Sequence, residues 1–388
     1  VSASRQKPSP QRELHLQIPE GVHLRMPDEV YFNARAIGSS DLKTLYWDPT
    51  SWWFQSDYNP ERRRAQARAP NRRTALDLGT ALHALVLEGE AAYTSRFIIE
   101  PDSASNSLAR TRLAMIRLLE QRGVRVERGE SRSNIQAMIR RHGLAHKVWD
   151  TAYADYERAR QNGLQHISTD EDRRLRHTAH LIATHEELGP AMKGGLSEVA
   201  VFFRRPEDPR TLLRAKFDKL RIQRMFDLKS IGNWKGRDID GAIRQAIEQN
   251  DYDIQRRFYP EAYEALVRFV RAGKVFAWDP SGEDSAVLAD ERALLVKIVE
   301  GGEMVWVWIF VQIRVDDIGK ERAPVIAPRF HRAEGRLWDD AGVKVEAALK
   351  SYRELRDKFT LDRPWALIDS TRELEDGDIR SLMKREIA

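Results

Sequence analysis

Three consecutive segments, Ser197 to Phe203, Thr211 to Ile222 and Met225 to Ser230, are rich in β-branched, aromatic and alternating apolar residues and are separated by short gaps. That pattern is the signature of half-buried strands. Gaps this short hold turns but no crossover helix, so the three segments are expected to pair as an antiparallel meander. The rest of the chain has to pack around this meander.

Helical spacing precedes and follows it. A serine at Ser39-Ser40 caps a helix carrying Leu42, Leu45 and Tyr46, and Asp48-Pro49 ends it. Thr80 is placed to cap a helix over Ala81 to Leu87. Residues 101–195 repeat apolar positions at helical intervals on an Arg-rich background and read as a helical insertion, closed by Gly194-Gly195. Helical spacing returns from Asp238 to Ala272, where Pro260 is expected to break or kink the helix. A last hairpin, Leu294 to Glu300 with Met304 to Val315, and a helix over Val343 to Phe359 complete the reading. Residues 1–36 are expected to be a flexible lead-in and 370–388 a charged tail, with one domain over 37–369 between them.

Composition removes several classes of chemistry. The 388 residues include no cysteine, which excludes disulfides, thiolate zinc sites, a cysteine nucleophile and an iron–sulfur cluster. Any metal must sit on oxygen and imidazole. The longest apolar stretch, Val305 to Val311, is far too short to span a membrane, and the N-terminal residues lack a secretory core, so a cytoplasmic protein is expected. Of the 64 basic residues 49 are arginine, a bias that suits phosphate contacts and equally a GC-rich genome. There is no P-loop, dinucleotide fingerprint, zincin motif or nucleophile elbow.

One set of residues carries the chemistry. Alternation along Met225-Phe226-Asp227-Leu228-Lys229 sets Asp227 and Lys229 on one strand face and Leu228 on the other. Asp218, near the end of the preceding strand, is brought beside Asp227 by a tight hairpin. Paired carboxylates at strand ends form a hard-oxygen site for Mg²⁺ or Mn²⁺, with Lys229 to orient water or offset charge at phosphorus. The plain alternative is an Asp and Lys pair on a sheet rim. His83, in an otherwise apolar helix, is either a hydrogen-bonded core residue or, if that helix packs over the sheet edge, a third ligand. Glu198 opens the first strand and is either an accessory acid or a surface carboxylate. Gln255 and Tyr259, one helical turn apart, reach a substrate phosphate or base, or else flank a partly buried helix. Arg62, Arg63, Arg64, Arg72 and Arg73 form a loop that grips phosphates or is simply solvated.

Taken in order, Gly79-x-x-x-His83, Glu198, Asp218, Asp227-Leu-Lys229 and Gln255-x-x-x-Tyr259 resemble the RecB-like branch of the PD-(D/E)xK nuclease superfamily. The stretches Gly79 to Glu88, Phe226 to Ser230 and Tyr252 to Tyr263, with Ser39-Ser-Asp-Leu-Lys43, are most similar to RecE-type phage and prophage exonucleases. The resemblance implies an α/β fold, a mixed central sheet flanked by helices as in restriction endonucleases. It implies Mg²⁺-dependent hydrolysis of linear double-stranded DNA from a 5′ end, with His83, Asp218 and Asp227 as metal ligands and Lys229 as the catalytic lysine. It makes Glu198 an accessory acid and Gln255 and Tyr259 substrate contacts. A ring-like homo-oligomer and a single-strand annealing partner in phage recombination are further implications. An endonuclease on the same fold, or an inactive relative that binds DNA ends, are the alternatives. Ala215 stands where the family pattern has glycine, and Pro260 directly follows Tyr259.

Overall fold

The computed structural model describes residues 18–59, 61–62, 76–102, 108–232, 238–279, 284–315 and 321–365. Among the described residues its centre is a mixed sheet of eight strands, β1 (Gly21–Leu24), β4 (Leu196–Arg205), β5 (Asp208–Arg221), β6 (Arg224–Ser230), β7 (Val275–Trp278), β8 (Asp284–Ser285), β9 (Val305–Val315) and β10 (Glu321–Phe330). Their order is β10-β9-β6-β5-β4-β1-β7-β8. Two short strands, β2 (Phe97–Ile99) and β3 (Gln165–Ile167), pair in parallel away from it.

The β4-β5-β6 meander is antiparallel, as the short gaps require. Next to it, β9 runs parallel to β6 and sets Asp227 opposite Trp308. Its near-continuous apolar run follows from burial on both faces. Trp306, Trp308 and Phe310 enter the larger core cluster, under the helix Tyr252–Arg271, whose Tyr259 and Tyr252 rings meet Trp306 and Phe310. Ile309 and Val311 face the other way with Phe226 and Leu228, against the helices Leu76–His83 and Thr169–Thr184. The molecule is thus an α/β protein with a mixed central sheet flanked by helices.

Several expectations change. Strand β1 lies inside the stretch read as a flexible lead-in and is inserted between β4 and β7, where all four of its residues are buried. Leu294 to Glu300 is not a strand but part of the helix Ala289–Glu300, because Leu295, Ile298 and Val299 are buried at helical intervals. The hairpin partner of β9 is β10. Thr80 lies inside the helix Leu76–His83 and not at an N-cap position. Pro260 does not end its helix, which continues from Tyr252 to Arg271. Packing of Ile254, Phe258, Ala262 and Leu266 against the sheet holds that helix together despite the missing N–H. The closing helix starts at Arg336, ahead of the expected Val343.

The 101–195 region is largely helical, in two unlike halves. Residues 108–148 close around a small core of their own, whereas Leu175, Ile182, Leu188 and Met192 pack on the back of the main sheet and form one of its covering layers. Among the described residues, no helix is long and apolar enough to cross a membrane.

Candidate active site

The sheet opens where β5 and β6 part. Their ladder runs Arg221↔Arg224, Leu220↔Met225, Lys219↔Phe226 and stops there. One residue on, the Asp218 carboxylate takes the place of a ladder carbonyl, accepting the Leu228 N–H through Oδ2 at 2.8 Å. This satisfies a buried donor and fixes the carboxylate at the mouth of the split.

Glu198 arrives from the other neighbour. The flanking pairs Ser197↔Lys219 and Val199↔Phe217 set it across from Asp218. Its backbone has φ 53°, the left-handed region that a non-glycine residue enters at a cost of about 1–3 kcal/mol. Lys216, two residues before Asp218, closes on Glu198 Oε2 at 2.9 Å and also on Asp28.

His83 occupies the last turn of the helix Leu76–His83, where the chain passes into a π turn, Ala84–Glu88. Its Nε2 lies 2.7 Å from the Leu228 carbonyl oxygen. A carbonyl only accepts, so Nε2 carries the proton and donates it, leaving Nδ1 pointed at Asp218 Oδ2, 3.6 Å away. A neutral imidazole lone pair facing a carboxylate oxygen is repulsive unless a proton or a cation lies between them.

Ligand atoms of His83, Glu198 and Asp218 all lie within 4.8 Å of one another. One imidazole and two carboxylates suit a divalent cation such as Mn²⁺ or Mg²⁺, and a histidine whose other nitrogen donates to a backbone carbonyl is the usual arrangement around a metal ligand. Burial pushes the carboxyls of Glu198 and Asp218 above the ordinary carboxylate range, in spite of Lys216 beside the first and His83 beside the second.

Asp227 is engaged elsewhere. It is 1% exposed, accepts from Gln255 Nε2 at 2.9 Å, and meets Lys229 Nζ at 2.9 Å through Oδ1 and 2.7 Å through Oδ2. Burial opposes the Lys229 ammonium, but Asp227 and Asp218 outweigh it and its pKa rises, so it remains a cation at neutral pH. The cation-capable triad therefore contains Glu198 where Asp227 was expected, while Asp227 holds the lysine.

Gln255 and Tyr259 are buried and brace the site. Both line the cleft; Tyr259 donates its hydroxyl to the Lys216 carbonyl at 2.9 Å, and Gln255 donates one N–H to Asp227, so each has a partner within the protein. Burial raises the Tyr259 pKa well above its ordinary value. Of the arginine loop, Arg62 lines the cleft and pairs with Asp57 at 3.2 Å; Arg63, Arg64, Arg72 and Arg73 lie outside the described residues.

The cleft over these groups has a volume of ≈ 1120 Å³. Three of its lining residues, Lys43, Lys216 and Tyr252, have no assigned role in the motif pattern. Lys43 and Lys229 place their ammonium groups 5.1 and 5.2 Å from the centre of the Tyr252 ring. Lys43 makes no ion pair among the described residues, and burial, then the nearby Lys229 charge, pull its pKa down to about 8. Lys216 shares strand parity with Asp218, a local signal that could have drawn attention to it; Lys43 and Tyr252 meet the site only through tertiary packing. Neither any known family model nor any curated protein matches this chain.

Proposed function

We propose that this chain is a divalent-metal-dependent nuclease of the PD-(D/E)xK type, akin to the RecE-type exonucleases, which hydrolyses linear double-stranded DNA from a 5′ end. The observation that carries the reading is the convergence of His83, Glu198 and Asp218 on one point of the cleft, beside an ammonium held by Asp227. Resection of ends by a homo-oligomer, for a single-strand annealing partner in phage or prophage recombination, belongs to the same proposal and rests on the motif resemblance.

A divalent cation on the triad supplies Lewis acidity at a phosphoryl oxygen. Lys229, protonated and braced by Asp227, donates toward the charge that develops on the phosphate oxygens as water adds to phosphorus and a P–O ester bond breaks. Lys216 keeps Glu198 in place without entering the reaction, and Gln255 and Tyr259 fix Asp227 and the backbone of β5.

The test is digestion of linear duplex DNA labelled at the 5′ or the 3′ end, with Mg²⁺ or EDTA, for the wild type and Lys229→Ala. Early Mg²⁺-dependent release of the 5′ label, lost in the variant, is expected. Cutting of closed circular DNA instead would make the protein an endonuclease. Duplex binding with no hydrolysis of either substrate would make it an end-binding relative.

A further inference from the structure

Residues 108–148 form a small helical unit that contributes nothing to the cleft, since none of them lines it. Its helices Arg112–Glu120 and Arg132–Arg141 are capped by Thr111 and Ser131 and pack through Met115, Leu119, Ile135 and Ile139. The unit closes on itself at its base, where Ala109 bridges Val148.

Its charge is the unexplained feature. Within the unit nine arginines and Lys147 stand against three acids, Glu120, Glu127 and Glu130, a net charge of +7 where the whole chain carries +5, so everything outside the unit is net acidic. A genomic preference for arginine over lysine does not produce this, because exchanging one cation for another leaves the net charge unchanged. All nine arginines are exposed. Among the described residues, Arg117, Arg122, Arg125, Arg128, Arg140 and Arg141 form no ion pair and no side-chain hydrogen bond, whereas Arg132 has Asp150 at 2.8 Å. So many unneutralised cations in a unit of 41 residues repel one another, and a polyanion relieves that repulsion.

We propose that the 108–148 unit is a second nucleic-acid-binding surface, separate from the cleft, that grips the backbone phosphates of duplex DNA without reading sequence. Duplex is favoured over single strands because the unit has no Phe, Tyr or Trp on which unstacked bases could lie. Arginine forks on phosphates supply affinity and register but little sequence preference. The role is retention: a grip away from the cleft keeps a substrate attached between catalytic events. Binding itself does not depend on the nuclease reading; only the retention role does.

The test is fluorescence anisotropy of a labelled blunt duplex with the full chain in EDTA, which reads binding whether or not the protein cleaves. The wild type is compared with a variant carrying Arg117→Gln, Arg122→Gln, Arg140→Gln and Arg141→Gln, and with the same four positions changed to Lys. The Gln variant is expected to bind more weakly and to lower the slope of log affinity against log salt by about 3, which narrows the affinity loss between about 50 and 200 mM salt by roughly two orders of magnitude. The Lys variant is expected to keep most of the slope, which separates charge from folding. An unchanged affinity and slope in the Gln variant overturns the proposal. So does an equal loss in the Lys variant, tighter binding of a single strand than of duplex, or a change in oligomeric state with DNA binding intact.

Discussion

Glu198 faces Asp218 across the β4/β5 ladder with its backbone held at φ 53°. A left-handed residue in mid-strand is strained, and here the strain turns a carboxylate toward the histidine and aspartate that share the cleft. Glu198→Gly and Glu198→Ala both remove a partner of Lys216, but only glycine relieves the backbone, so the Gly variant is expected to be about 1 kcal/mol more stable than the Ala variant, and both are expected to lose the stabilisation by divalent ions. Thermal melts of both variants and the wild type with EDTA and with Mn²⁺ check this. A Gly variant that melts below the Ala variant in EDTA, or a variant that still responds to Mn²⁺, contradicts it.

Burial raises the Glu198 and Asp218 carboxyls, so the folded state keeps their protons to a higher pH than the unfolded chain does. Their contribution to stability is full below the ordinary carboxylate range and is lost as pH rises through the raised folded values. Between about pH 4 and pH 7, the wild type in EDTA is expected to lose stability relative to a Glu198→Gln, Asp218→Asn double variant. Mn²⁺, which needs ionised carboxylates, is expected to raise the wild-type melting temperature more at the upper end of that range. Melting curves across the range decide it.

Gln255 holds Asp227 from the wall of the cleft. Gln255→Ala removes a hydrogen bond to a buried charge and is expected to cost about 1.5–3 kcal/mol in urea unfolding. Gln255→Glu sets a second carboxylate against Asp227 and is expected to be worse in both stability and turnover. For Tyr259→Phe, which orphans the Lys216 carbonyl, about 1 kcal/mol of stability should go with KM unchanged. A raised KM with normal stability would restore the substrate-contact role.

Lys43 titrates near pH 8 beside the cleft. Protonated, it attracts a phosphate; above that pH the attraction is lost. Duplex affinity measured in EDTA is expected to fall several-fold between about pH 7 and pH 9 in the wild type and to stay level in Lys43→Arg, because a guanidinium keeps its charge throughout. Identical pH profiles for the two proteins exclude Lys43 from the binding surface.

The meander, the strand register of Asp227 and Lys229, and the order of the motif fragments were legible in the sequence because each rests on local periodicity. Alternation along β6 is enough to separate Asp227 and Lys229 from Leu228. Where local signals compete, reading failed: Leu294 to Glu300 has strand-forming residues at helical spacing, and Gly21–Leu24 is too short to stand out, so only its place between β4 and β7 makes it a strand. The site depended on contacts far apart in the chain. That Glu198 joins His83 and Asp218, that Asp227 is claimed by Lys229 and Gln255, and that Lys43 meets Tyr252 are decided by the split between β5 and β6 and by the helices packed over it. A sequence specifies which side chains share a face; which of them come within bonding distance depends on backbone paths and packing that no local pattern encodes.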